Sequence, residues 1–220
     1  FQFVPLALVA ATYPRFSEYF VHNRDKLAFV FERSVKYLLL IVAPIVIGIS
    51  LLAPDIITSV FKPAYLPAVP ALRILLFGLI FSYISFPIGA FLNACDRQST
   101  QTKIVAGALV ANVLLNIILI PRFGIVGSAY AALIGNMLLT IAGYYFIPRI
   151  TAIHHSYIAK AFVQVAVSGI IMGVFVWYID NLAHFAVAIL GGAVVYPAML
   201  FATRAVTMEQ VREAVTLVRR

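Results

Sequence analysis

Apolar residues run along this chain in blocks of 18 to 25 positions, broken by short clusters of charge, proline and glycine. Six complete blocks fall at 37–61, 71–95, 104–121, 125–147, 161–178 and 182–202, after a shorter one at 1–12. Each complete block is long enough, at about 1.5 Å per residue, to cross a hydrocarbon core of about 30 Å as a helix. The pattern therefore predicts an all-α fold, a polytopic transmembrane helix bundle of six complete spans plus a truncated N-terminal span. The first block opens in mid-hydrophobic sequence with neither Met nor a basic leader, so it reads as the cut end of a helix with further helices upstream.

Two stretches have a mixed pattern. Residues 13–36 interleave charges with Phe16, Tyr19, Phe20, Leu27, Phe29 and Phe31, which predicts a segment lying on the membrane. In the tail, Met208, Val211, Val215 and Val218 recur at helical spacing behind a capping-box pair, Thr207 and Gln210, which predicts an interfacial amphipathic helix. Three units follow: 1–147, the final two spans at 148–203, and an interfacial helix at 204–220.

Composition agrees with the blocks. The 220 residues are 63% hydrophobic and 11% charged, and mean hydropathy is +1.02. A soluble domain is about 25% charged. The net charge of +8 is distributed by side. With the first polar segment placed in the cytoplasm, 13 of the 16 Lys and Arg fall on that side, and only Lys62, Arg73 and Arg122 on the other. The positive-inside rule then orients every span in a plasma membrane (bacterial or archaeal cytoplasmic membrane) and puts the C-terminus on its cytoplasmic side. The basic excess is topogenic, beside anionic lipid, and gives no reason to expect nucleic acid. Trp177 and Tyr178 at an outer end, and Tyr144, Tyr145 and Phe146 at an inner one, suit interfacial anchors.

Small residues at 107/111, 127/131/135 and 169/173 predict close helix packing, and Pro5, Pro44, Pro87 and Pro197 predict kinks inside spans. The single Cys95 allows no internal disulfide, and the adjacent His154 and His155 point apart, so they read as a solvated loop and no metal site or cofactor is expected. Asn112 and Asn116 share a helix face, and Asn93, Asn136, Gln164, Ser168, Ser82 and Ser85 add uncharged polar groups at membrane depth. Any one Asn is accounted for by an interhelical hydrogen bond. Their accumulation suggests a wet, neutral cavity suited to sugar, with candidate lining residues Asn93, Asn112, Asn116, Asn136 and Arg73. Asp55 and Arg73 stand near neighbouring outer ends, where they are placed to pair, to snorkel, or, for Arg73, to receive an anionic headgroup.

One stretch is more specific. Residues 116–129 read NIILIPRFGIVGSA, in which Pro121 is expected to end one helix, Gly124 to take an unusual backbone angle and Gly127 to let the next helix pack closely. This stretch resembles the polysaccharide transporter (O-antigen flippase) family of the multidrug/oligosaccharidyl-lipid/polysaccharide exporter superfamily. Residues 11–18, ATYPRFSE, are similar to that family's Pro-Arg-x-Ser loop. Residues 91–98, FLNACDRQ, are similar to its Leu-x-Ala-x-Gly-Arg loop, with Asp96 in the Gly position and a differently shaped loop expected. The resemblance covers nearly all of 11–147 and implies the second lobe of a two-lobed flippase. It implies export of an undecaprenyl-diphosphate-linked oligosaccharide such as O-antigen by alternating access, without enzymatic chemistry. Its implied partners are the lipid-linked substrate, membrane lipids, a coupling ion (proton or sodium) and polysaccharide-assembly proteins. No carboxylate sits at a span centre, so an ion-binding acid is expected upstream. The alternatives are a multidrug or cation exporter of the same superfamily, a membrane-embedded glycan polymerase or transferase, and a passive scaffold. The short outer turns, with Asp180 alone acidic, disfavour the polymerase.

Overall fold

A computed structural model describes residues 2–180, 182 and 185–206. The amphipathic helix expected at 207–220 lies outside the described residues. The described residues are almost all helical: α1 (Phe3–His22), α2 (Arg24–Leu51), α3 (Ala53–Val60), a 3-10 turn (Pro63–Ala68), α4 (Val69–Ala94), α5 (Gln98–Phe123), α6 (Ile125–Phe146), a 3-10 turn (Ile147–Arg149), α7 (His155–Asp180) and α8 (Phe185–Ala202). Among the described residues, six helical stretches are long and apolar enough to cross a membrane. Their outer faces carry large apolar side chains, such as Ile117 at 65% and Val194 at 71% exposure, as a lipid-solvated protein must.

The segment 13–36 does not form a separate surface element. α1 continues to His22 and α2 begins at Arg24, with one extended residue, Asn23, between them (φ −159°, ψ 98°). The Asn23 side chain caps α2 by accepting from the Lys26 N–H at 3.0 Å. Leu27, Phe31 and Val35 follow the i, i+4 rule along one face of α2, and all are buried. Phe91 of α4 packs edge-on to Phe16 at 5.6 Å and to Phe31 at 5.2 Å. Protein, not lipid, covers these apolar side chains.

The block 37–61 is also two helices. α2 bends at Leu52, and α3 starts with Pro54 in its first turn. α4 packs on α6, on α2 and on α1; α5 packs on α6; α7 packs on α8 and on α2. α2 is thus the wall shared by the α4–α6 layer and the α7–α8 pair. The small-residue stripes face partners as expected. A Cβ at Gly173 would lie 3.0 Å from Ile47 of α2, and one at Gly135 would lie 3.1 Å from Asn112 of α5. Gly107 is the exception, since nothing stands within 4 Å of its Cβ position. α5 has no buried residue and lies on the outside.

The α5–α6 turn is tighter than the sequence suggests. Pro121 does not end α5; the helix runs two residues further, to Phe123. Proline costs only its own N–H and the fit of the preceding turn, and here the helix is about to stop anyway. Gly124 makes the turn (φ 57°, ψ −132°), a conformation hard for any residue with a Cβ, while its N–H still reaches the Ile120 carbonyl at 2.8 Å. A Cβ at Gly127 would overlap the Leu119 carbonyl and lie 2.6 Å from its carbon. At the α4–α5 loop, Asp96 takes φ 57°. The loop keeps the left-handed backbone a glycine favours, because Asp tolerates it better than most residues.

Candidate functional site

Proline inside a helix leaves the carbonyl four residues earlier without its donor, and in lipid no water replaces it. Pro44 thereby orphans the carbonyl of Leu40. The Tyr196 hydroxyl of α8 donates to that oxygen at 2.9 Å, from a side chain only 5% exposed. Pro54, likewise, has no N–H for the carbonyl of Ser50, at the end of α2. Arg73 of α4 donates to it through Nε at 2.9 Å. Arg73 therefore closes the α2–α3 elbow, and no ion pair between it and Asp55 is found among the described residues.

The Tyr196 contact sits at the edge of a cavity of about 450 Å³ between α2–α3 on one side and α7–α8 on the other. Its walls are almost wholly apolar: Pro44, Ile49 and Ile56 face Met172, Val176 and Ile189. Gly48, Gly192 and Ala193 hollow it out, and a Cβ at Gly192 would come within 2.8 Å of Val176. The volume falls within the range of small-molecule sites, about 300–1,000 Å³. A space with this lining accepts a length of aliphatic chain and rejects a sugar, whose hydroxyls would go unpaired.

The five polar candidates do not form one cluster. Asn112 donates to the Ala131 carbonyl of α6 at 3.0 Å, and Asn116 donates to the Asn112 side chain at 3.0 Å and to its carbonyl at 2.9 Å. These two are joined and clasp α5 to α6. Asn136 stands beside Gly78 at the α4–α6 seam. Arg73 and Asn93 occupy opposite ends of α4, about 30 Å apart at about 1.5 Å per residue. The physical reason is depth: residues that look alike in composition sit at different levels of the membrane and on different seams.

The sequence reading missed Glu32. It is 5% exposed, and its Oε1 accepts from the His154 backbone N–H at 2.6 Å and faces His154 Nδ1 at 3.2 Å. A buried carboxylate on α2 thus caps the N-terminus of α7, where orphan N–H groups and the helix dipole favour negative charge. Thr151 Oγ1 donates to the Arg24 carbonyl at 2.9 Å beside it. His155 pairs with the Tyr144 hydroxyl at 2.7 Å, and both histidines remain exposed, as expected of a solvated loop, while each gains one partner. Nothing in one-dimensional spacing links position 32 to 154.

Comparison with known proteins agrees with the apolar helical bundle. Residues 3–195 match the family model described as lipid II flippase MurJ. An uncharacterized membrane protein of Methanocaldococcus jannaschii is 33% identical over 79% of this chain and 34% of its own length. A Haloferax volcanii protein named "Probable low-salt glycan biosynthesis flippase" is 26% identical over 69% of this chain and 32% of its own. The chain therefore spans about a third of the length of these curated relatives. The fold is that of a solved lipid II flippase MurJ in an inward closed conformation, with a TM-score of 0.70 at 18% identity, covering 93% of this chain and 45% of that one. These matches support the flippases in general and not the O-antigen flippases in particular, and the family's members are transporters of lipid-linked saccharides. With its multi-pass apolar helices and a family match over most of its length, this chain belongs to the lipid II flippase MurJ family.

Proposed function

We propose that this chain is the second lobe of a flippase that carries a polyprenyl-diphosphate-linked oligosaccharide across the cytoplasmic membrane by alternating access. The observation that carries this reading is the apolar groove between α2–α3 and α7–α8. A lipid-linked sugar has two incompatible parts, and a transporter must hold the tail in an apolar place while the head crosses a polar one. The groove suits the tail. Arg73 and Asn93, at opposite ends of α4, are our candidates for contact with the glycan as it enters and leaves. Asn136 is assigned to the α4–α6 seam, and Asn112 and Asn116 to holding α5 in place. The basic helix ends, with the C-terminus, face the cytoplasm, and an undecaprenyl carrier bearing an O-antigen-like repeat is the substrate we favour.

The test is transbilayer movement of a fluorescent polyprenyl-diphosphate oligosaccharide in vesicles holding the full-length protein. Gly48→Leu and Ala193→Leu, which fill the groove, are expected to slow movement at unchanged insertion. Wild-type movement in both variants overturns the assignment of the groove.

A further inference from the structure

A second cavity, of about 460 Å³, opens between the basic ends of α2 and α7 and differs from the groove in carrying charged side chains. It is lined by Arg33, Lys160, Tyr157 and Ser156, with Phe29 and the Glu32–His154 pair at its edge. The Arg33 guanidinium lies 4.4 Å over the Phe29 ring, and its Nη1 donates to the Tyr37 hydroxyl at 3.4 Å. Its Nε is buried and has no hydrogen-bond partner. Next to it Lys36 is only 7% exposed, with its ammonium 5.7 Å from the Tyr157 ring and in electrostatic reach of Arg33 and Lys160. A buried cation requires compensation, and Tyr157 supplies only a ring face. The one carboxylate here, Glu32, is committed to the α7 N-terminus and His154.

Two cations, Arg33 and Lys160, thus line a space with a third, Lys36, buried beside it, and the single acid of the lining is already engaged. Depth then selects the ligand. The apolar run of α2 begins at Tyr37, directly after Lys36, and that of α7 at Ala161, directly after Lys160. Both lysines stand at the boundary between hydrocarbon and headgroups. Arg offers a planar fork to phosphate oxygens, and the Tyr157 and Ser156 hydroxyls are further donors.

We propose that this α2–α7 cavity binds the phosphodiester of an anionic phospholipid from the leaflet on the basic side. The site is distinct from the apolar groove and does not depend on it. It ties the α7–α8 pair to α2 through a lipid and makes their attachment sensitive to membrane composition.

Native mass spectrometry of the full-length protein, stripped of lipid, tests this with dioctanoyl phosphatidylglycerol, dioctanoyl phosphatidylcholine and inorganic phosphate as probes. Phosphatidylglycerol is expected to bind most tightly, with affinity falling about fivefold for each cation removed in Lys160→Gln and Lys36→Met. Lys160 is exposed, so its variant reports on binding even where Lys36→Met fails to fold. Arg149→Gln, in a separate basic pocket with Arg97, is expected to bind as wild type. Equal binding of phosphatidylcholine, wild-type affinity in Lys160→Gln, or an equal loss in Arg149→Gln overturns the proposal. Competition by inorganic phosphate at matched concentration assigns the site to a free anion and overturns the lipid source.

Discussion

Replacing Tyr196 with Phe removes one hydroxyl and leaves the Leu40 carbonyl, already deprived of its helical donor by Pro44, with nothing to accept from. Tyr196 is 5% exposed and the bond is 2.9 Å long. An unsatisfied buried acceptor costs about 1–3 kcal/mol, whereas interhelical hydrogen bonds in membranes average about 0.6 and reach about 1.7 kcal/mol. The orphaned acceptor puts this bond near the upper membrane value, so about 1.5 kcal/mol is expected. The reasoning makes a sharper claim about context. Pro44→Ala returns an N–H at position 44 to the Leu40 carbonyl, and the same Tyr196→Phe change should then cost under about 0.5 kcal/mol. Equilibrium unfolding of the four proteins in mixed detergent micelles measures the coupling directly, expected at about 1 kcal/mol. An equal cost of Tyr196→Phe in both backgrounds would falsify the link between the proline and the tyrosine.

Four further outcomes follow from the same geometry. Gly127→Ala forces its methyl into the Leu119 backbone and should destabilise by about 1–3 kcal/mol, while Gly107→Ala, facing open space, should change the melting temperature little; the reverse order in detergent thermal melts contradicts the packing. Gly124→Ala must hold a Cβ at φ 57°, ψ −132° and should lose about 1–3 kcal/mol by the same melts. At the α7 cap, Glu32→Gln keeps an acceptor and should cost about 0.3–1 kcal/mol, and Glu32→Ala more, about 1–2 kcal/mol, a ranking that unfolding curves either reproduce or reject. Cys95 is 1% exposed, packed among the buried side chains of the core. A buried thiol is out of the reagent's reach, so maleimide labelling of the folded protein should be negligible from pH 7 to 9 and appear only after unfolding exposes it. Rapid native labelling in that range removes Cys95 from the core.

The apolar blocks made the spans legible, because lipid demands long uninterrupted runs and nothing else produces them. The turn was legible at Gly124 and Gly127, where a backbone reversal admits few side chains, but not at Pro121, which α5 carries inside its last turn. The region 13–36 misled because charge dominates its composition, yet Leu27, Phe31 and Val35 already carried the i, i+4 signal of a buried helix face. Pro44 marked a kink in α2, but the donors that satisfy the carbonyls of Leu40 and Ser50, Tyr196 and Arg73, come from other helices and leave no local trace. The five polar candidates shared a composition without sharing a place. An Asn that clasps α5 to α6 and one at the end of α4 look the same in a string of letters.

The Leu52 elbow has a mechanical meaning for the groove. Ile49 before it, Leu52 at it and Ile56 after it all line the same cavity. Swinging α3 about that joint moves one wall while the opposite wall, held to α2 by Tyr196, stays put. Ile56 lies beyond the joint and the Ser50 carbonyl held by Arg73 just before it, so any change in that angle alters one edge of the groove and the Arg73 contact together.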